Sequence, residues 1–220
     1  MMHRRLLSAL AVAAAFAPAV AMAHPGMPGH THGFTDGFAH PFGGLDHLAA
    51  MTGVGLWAGQ QAKGGQAKGG QAKGGQAKGG QAKGGQGSRA VWLWPLAFLA
   101  LLVAGAIAGA NGLALPGVEW GIVLSVAALG WLTAFGARLP LAAGAALIAA
   151  FALCHGAAHG VEMPADADGL AYGLGFVTAS ATLHLAGVAL SRLAERAGLA
   201  LVPRLAGLGL AAMAPLLLAV

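Results

Sequence analysis

The chain has 220 residues, of which 57% are hydrophobic and only 9% charged. A soluble domain carries about 25% charged residues, so this composition cannot coat a globule with polar surface. A mean hydropathy of +0.71 excludes a disordered polymer despite 37 glycines, and a single cysteine excludes a disulfide framework or a thiolate zinc site built from this chain alone. What remains is an integral membrane protein.

The amino end reads as a targeting segment. Arg4 and Arg5 form a basic start, Leu6–Val20 is apolar and interrupted by Pro18, and Ala21-Met22-Ala23 is a small-x-small cleavage site. A cleaved signal peptide over residues 1–23 is therefore expected; the alternative is an uncleaved first span. Residues 24–37 follow as a His-rich periplasmic segment. There His24, with its free α-amine, His30 and His32 could capture metal, or could form a solvated tail without a role.

Residues 38–220 are expected to form a transmembrane domain of an all-α membrane protein, a compact bundle of six transmembrane helices. The apolar runs are Phe38–Gly59, Ala90–Ala110, Gly117–Phe135, Pro140–His159, Gly169–Leu190 and Leu199–Ala219. Each is long enough to cross about 30 Å of hydrocarbon as a helix. Gly105 and Gly109, Gly156 and Gly160, and Gly169 and Gly173 are each four apart, a spacing that lets helices approach closely in lipid.

Residues 61–85 are five copies of Gln-Ala-Lys-Gly-Gly. A Gly-rich, polar tract of this kind cannot bury a core and is expected as a flexible cytoplasmic loop. Its lysines could attract anionic headgroups, although loops also tolerate such expansions without a role. The Gly-Lys pair needed for a phosphate-binding loop does not occur, so no ATP-binding motif is present.

The repeat lysines, Arg89, Arg138, Arg192, Arg196 and Arg204 all fall on one side of the membrane if the processed amino end is outside. The opposite connections hold Glu119, Glu162, Asp166 and Asp168 and no Lys or Arg. This is the positive-inside pattern, and with the leader cleaved it is expected to orient a multi-pass chain in a bacterial cytoplasmic membrane with its amino end periplasmic. It also accounts for the pI near 10 without a nucleic-acid partner.

Ionisable groups at membrane depth cost about 2.5–3.5 kcal/mol each on an insertion scale, so several of them imply partners. His155 and His159 are one helical turn apart, about 6 Å along the axis, with Glu162 on the same face one turn further. Imidazole with carboxylate suits divalent Ni, Co, Zn or Fe. His40 and His47 are separated by about 10.5 Å of helical rise and cannot hold one ion unless Pro41 and Gly43-Gly44 break the helix. Asp46 is either a ligand or an acceptor that fixes an imidazole tautomer. His184 lies near the cytoplasmic end of the fifth run, so one ion cannot touch both it and the outer group if the helices are regular. The expected route enters near His40 and Glu162, binds at Asp46, His47, His155 and His159, and leaves past His184.

The segment HPFGGLDHLAAMTGVGLW at His40–Trp57 resembles the signature of the HupE/UreJ family of bacterial nickel and cobalt permeases. HGAAHGVE at His155–Glu162 and ATLHLAG around His184 are similar to two further family elements. The resemblance implies secondary uptake of Ni²⁺, or Co²⁺, that serves hydrogenase or urease maturation. It implies no catalytic residue and no permanently bound cofactor, with the divalent metal as substrate and the lipid bilayer as surroundings. Transporters with an HX4DH motif fit less well, because five residues separate His40 from Asp46. Two other readings are an intramembrane zinc hydrolase using the same His and acid cluster, and a non-transporting metal-binding accessory protein. HGAAH lacks the general base that the Glu of HExxH supplies.

Overall fold

Apolar runs of the lengths above must satisfy their own backbone polar groups in lipid, and the helix does so within one segment. The computed structural model describes residues 32–62 and 80–218, and among these there are seven α-helices, a closing 3₁₀ turn and no strand. In chain order they are α1 (Phe34–Gly43), α2 (Leu45–Gln61), α3 (Gly80–Ala110), α4 (Val118–Phe135), α5 (Leu141–Glu162), α6 (Gly169–Arg196) and α7 (Leu201–Met213), with the 3₁₀ turn at Ala214–Leu218. Among the described residues five segments are long and apolar enough to cross a membrane: Gln86–Ala110, Val118–Phe135, Leu141–Glu162, Gly169–Arg196 and Leu201–Leu218. The protein is a multi-pass helical membrane protein. The expectations for residues 1–23, His24 and His30 lie outside the described residues.

The first expected span is not one helix. It breaks at Gly44, whose backbone is extended at φ −101°, ψ 123°, into α1 and the 17-residue α2. Pro41 has no N–H to give the last turn of α1. The condition under which His40 and His47 could meet is therefore fulfilled.

From Ala49 to Gln61 every residue of α2 is buried, so this helix runs through the middle of the bundle. The other helices surround it and turn side chains such as Trp92, Leu96, Ile107, Trp120, Leu124 and Leu170 outward. Such faces suit a lipid solvent, in which apolar exposure carries no penalty.

Glycine sets one close seam, between α3 and α5, from both sides. On α3, Gly105 and Gly109 lie against Leu153 and Ala157 of α5, while Gly156 and Gly160 of α5 lie against Leu102 and Ala106 of α3. A Cβ at any of the four would meet backbone atoms of the partner helix, so the spacing expected for close approach operates here. The third pair does not: Gly173 has nothing within 4 Å of a built Cβ, and Gly169 meets only the Met163 side chain at 3.9 Å. Spacing alone does not choose the face that a helix presents.

The repeat loop expected over 61–85 is narrower at both ends. Gln61 is the last residue of α2, and its side-chain amide donates to the carbonyls of Ala137 (3.0 Å) and Trp57 (3.2 Å). At the other end the backbone of α3 already runs as helix from Gly80. Extending an existing helix costs far less than nucleating one. Residues 63–79 lie outside the described residues.

Candidate metal centre

The break at Gly44 decides what the histidine spacing alone could not: α1 ends and α2 begins at the same place. The last turn of a helix offers unpaired carbonyls and partial negative charge, and the first turn offers the reverse. His40 stands in the last turn of α1 and Asp46 in the first turn of α2, each with the favourable sign. Glycine suits the break, because a Cβ at position 44 would lie 2.7 Å from Asp46 Oδ1 and 3.2 Å from His47 Nδ1 and would displace those side chains.

Three elements bring their side chains to this break. His40 Nε2 lies 3.1 Å from His159 Nδ1 of α5, and that nitrogen also lies 3.1 Å from Glu162 Oε2. His40, His159 and Glu162 each offer a ligand atom within 4.8 Å of the others. One N–H on His159 Nδ1 could not satisfy both His40 Nε2 and Glu162 fully, whereas a cation would take a lone pair from all three.

Two more histidines adjoin this group. The ring of His47 is 3.6 Å from that of His159 and 5.4 Å from that of His155, centroid to centroid. His47 Nδ1 pairs with Asp46 Oδ1 at 3.2 Å. His155 Nδ1 donates to the Phe151 carbonyl at 3.0 Å. Each contact holds one ring nitrogen and leaves the other for a ligand, the arrangement seen around metal-binding histidines. The Nε2 atoms of His47, His155 and His159 are all buried without a hydrogen-bond partner. Buried polar atoms are nearly always paired, so these three suit a cation that supplies the missing contact.

His40, Asp46, His47, His159 and Glu162 line an open cavity of about 730 Å³, together with His32, Asp36, Glu119 and Tyr172. Tyr172 and Asp36 were not singled out from the sequence, and Glu119 entered only as an acid of the outer connections. Tyr172 Oη lies 2.9 Å from His40 Nδ1, orienting the ring so that Nε2 faces His159 and Glu162. Its only sequence signal is that it is the sole tyrosine of the chain, one turn below the Asp168 N-cap.

His32 does not stand free. Its ring lies 3.8 Å from Asp36 and 3.9 Å from Asp166, and its carbonyl accepts from Asp168 N–H at 3.0 Å. The expectation that His40 and Glu162 form a separate entrance, with binding deeper at His159, is corrected in one respect. The α1–α2 break places His40 directly on His159, and Glu162 reaches the same ring from three residues further along α5. His184 is the exception among the expected residues: it is buried deeper on α6, apart from the group, and packs against Phe98.

Fold and site together define a helical membrane protein with a histidine and carboxylate centre at the acidic end of its bundle. The HupE / UreJ protein family matches residues 10–70 and 80–217, and the chain belongs to that family. It is 36% identical over 196 residues to Protein HupE of Rhizobium leguminosarum bv. viciae, covering 89% of this chain and 88% of that protein. No solved structure matches.

Proposed function

We propose that this chain is a secondary permease that takes up Ni²⁺, or Co²⁺, across a bacterial cytoplasmic membrane for hydrogenase or urease maturation. The observation that carries the reading is the set of buried, unpartnered Nε2 atoms on His47, His155 and His159 beside the His40–His159–Glu162 group. Nitrogen with one or two carboxylate oxygens matches the ligand preference of these ions. The open cavity gives that centre a way in from one side.

The distribution of Lys and Arg supports an orientation with the cavity outside and the repeat inside. On that orientation an ion enters among Asp36, Glu119 and Glu162, loses water to His40, His47, His155, His159 and Asp46, and leaves inward past His184. Conduction needs ligation strong enough to replace water and weak enough to release, which successive incomplete sites provide. The acids beside the rings neutralise the charge that the ion brings into the bundle. Family membership supports a transport or accessory role rather than catalysis.

The test is accumulation of radiolabelled Ni²⁺ by liposomes containing only this protein, with Co²⁺, Zn²⁺ and Mn²⁺ as competitors. Saturable uptake inhibited by Co²⁺ supports the permease. Tight binding without accumulation would instead favour an accessory role.

A further inference from the structure

His184 is 1% exposed, and both of its ring nitrogens lack a hydrogen-bond partner. Two orphaned nitrogens on one imidazole in the interior of a membrane bundle are costly. The ring lies on α6 eight residues beyond Phe176, which packs on His40 and His159, so about 12 Å of rise separates the two levels. Among the ring contacts of the described residues, one side chain joins His184 to the outer cluster. The Phe98 ring of α3, fully buried, is 5.1 Å from His184 and 5.9 Å from His155 between centroids.

We propose that the Phe98 ring is the barrier between the outer histidine cluster and His184, and that an ion reaches His184 only when this ring swings aside. The inference rests on the permease reading. A ring with no polar atom offers nothing to replace the water of a divalent ion, so an apolar constriction of this kind blocks conduction by itself. The cavity lining includes His40, Asp46, His47 and His159 but neither His155 nor Phe98, which agrees with closure at this level.

The next aromatic along α3 behaves differently. Trp94, one turn towards the basic end, donates from Nε1 to the Leu141 carbonyl at 3.1 Å and stacks on Trp57 at 4.3 Å. Trp94 is therefore tethered as a fixed wall. Phe98 is held by packing alone and can move without breaking a hydrogen bond.

The barrier can be tested separately from metal transport. In a chain with Cys154→Ser and His184→Cys, labelling by 2-aminoethyl methanethiosulfonate is measured from the outer side of sealed vesicles, with free cysteine trapped in the lumen. Adding Phe98→Ala should accelerate labelling by about tenfold or more, and Phe98→Leu, which keeps most of the apolar volume, should give an intermediate rate. Equal labelling with Phe98 and with Ala, whether fast in both or absent in both, overturns the proposal. If the Ala chain does not insert stably, the Leu chain decides: a rate no higher than with Phe98 overturns it. Ni²⁺ accumulation by the unmodified chain is measured in parallel. Its failure would sink the permease reading, while the labelling ratio still decides the barrier.

Discussion

His40 Nε2 and His159 Nδ1 lie 3.1 Å apart across 119 positions of sequence, one at the end of a short helix and the other inside a long one. The contact exists because the chain stops being helical at Gly44, four residues after His40. With a continuous helix there, His40 would be carried away from its partners.

Loss of either member should therefore be severe. His40→Ala or His159→Ala is expected to weaken Ni²⁺ binding by about 100-fold or more, beyond the 10–100-fold typical of residues that merely orient a ligand. Titration calorimetry on detergent-solubilised protein measures this. Near-normal affinity in both variants would place the site elsewhere.

Tyr172 orients His40 from behind. Tyr172→Phe keeps the ring and removes the 2.9 Å contact to His40 Nδ1. Affinity for Ni²⁺ should fall about tenfold, with thermal stability nearly unchanged because the hydroxyl edges an open cavity.

Gly44 and Gly173 make a matched pair of substitutions. Gly44→Ala pushes a methyl into Asp46 and His47 and should reduce Ni²⁺ affinity about tenfold. Gly173→Ala meets nothing within 4 Å and should leave binding unchanged, with stability equal or raised by up to about 1 kcal/mol. Binding isotherms for the two side by side are the measurement; equal losses would contradict the assigned crowding at the helix break.

His184→Ala should stop uptake while most equilibrium Ni²⁺ binding in detergent survives. His184 does not belong to the His40–His159–Glu162 group, and an aromatic ring intervenes. If binding falls as far as with His159→Ala, the two levels are one site.

The repeat and its borders should also separate. Deleting three copies, residues 66–80, should leave uptake within about twofold, since a short connection still joins the helices. Gln61→Ala should destabilise the protein by about 1 kcal/mol through its lost bonds to Ala137 and Trp57. Uptake assays on the first and thermal melts on the second check the pair.

The long spans were legible because hydropathy over about 20 residues is a sum to which every residue contributes. His155, His159 and Glu162 were legible for a similar reason: their spacing lies within one helix and needs no partner. The break at Gly44 was only a conditional reading, since Pro41 and Gly43-Gly44 permit a break without requiring one. Asp46 and His47, which crowd the space of a Cβ at Gly44, favour glycine at the break but could be found only in the folded chain. Phe98 and Tyr172 were not visible as functional residues. An apolar or aromatic residue in a span has the same composition whether it faces lipid, a core or an imidazole. The same ambiguity explains Gly169 and Gly173, which have the spacing of a packing seam and no seam.

The enclosure of α2 has a consequence for how the protein is made. This helix emerges from the ribosome before any of the spans that shield it, and its closest mate, α6, is synthesised nearly last. In the finished protein Gly55 abuts the His184 carbonyl, and Thr52, Gln60 and Gln61 are hidden from lipid. Until α6 arrives, α2 exposes Thr52 and a glycine-rich flank with little intrinsic preference for hydrocarbon, although Gln60 and Gln61 already have partners at Thr133 and Ala137. Its retention in the membrane must then be completed late, as a docking step within an assembling bundle. Chains stopped before Gly169 should accordingly present α2 to quality-control proteases, whereas chains that reach Arg196 should protect it.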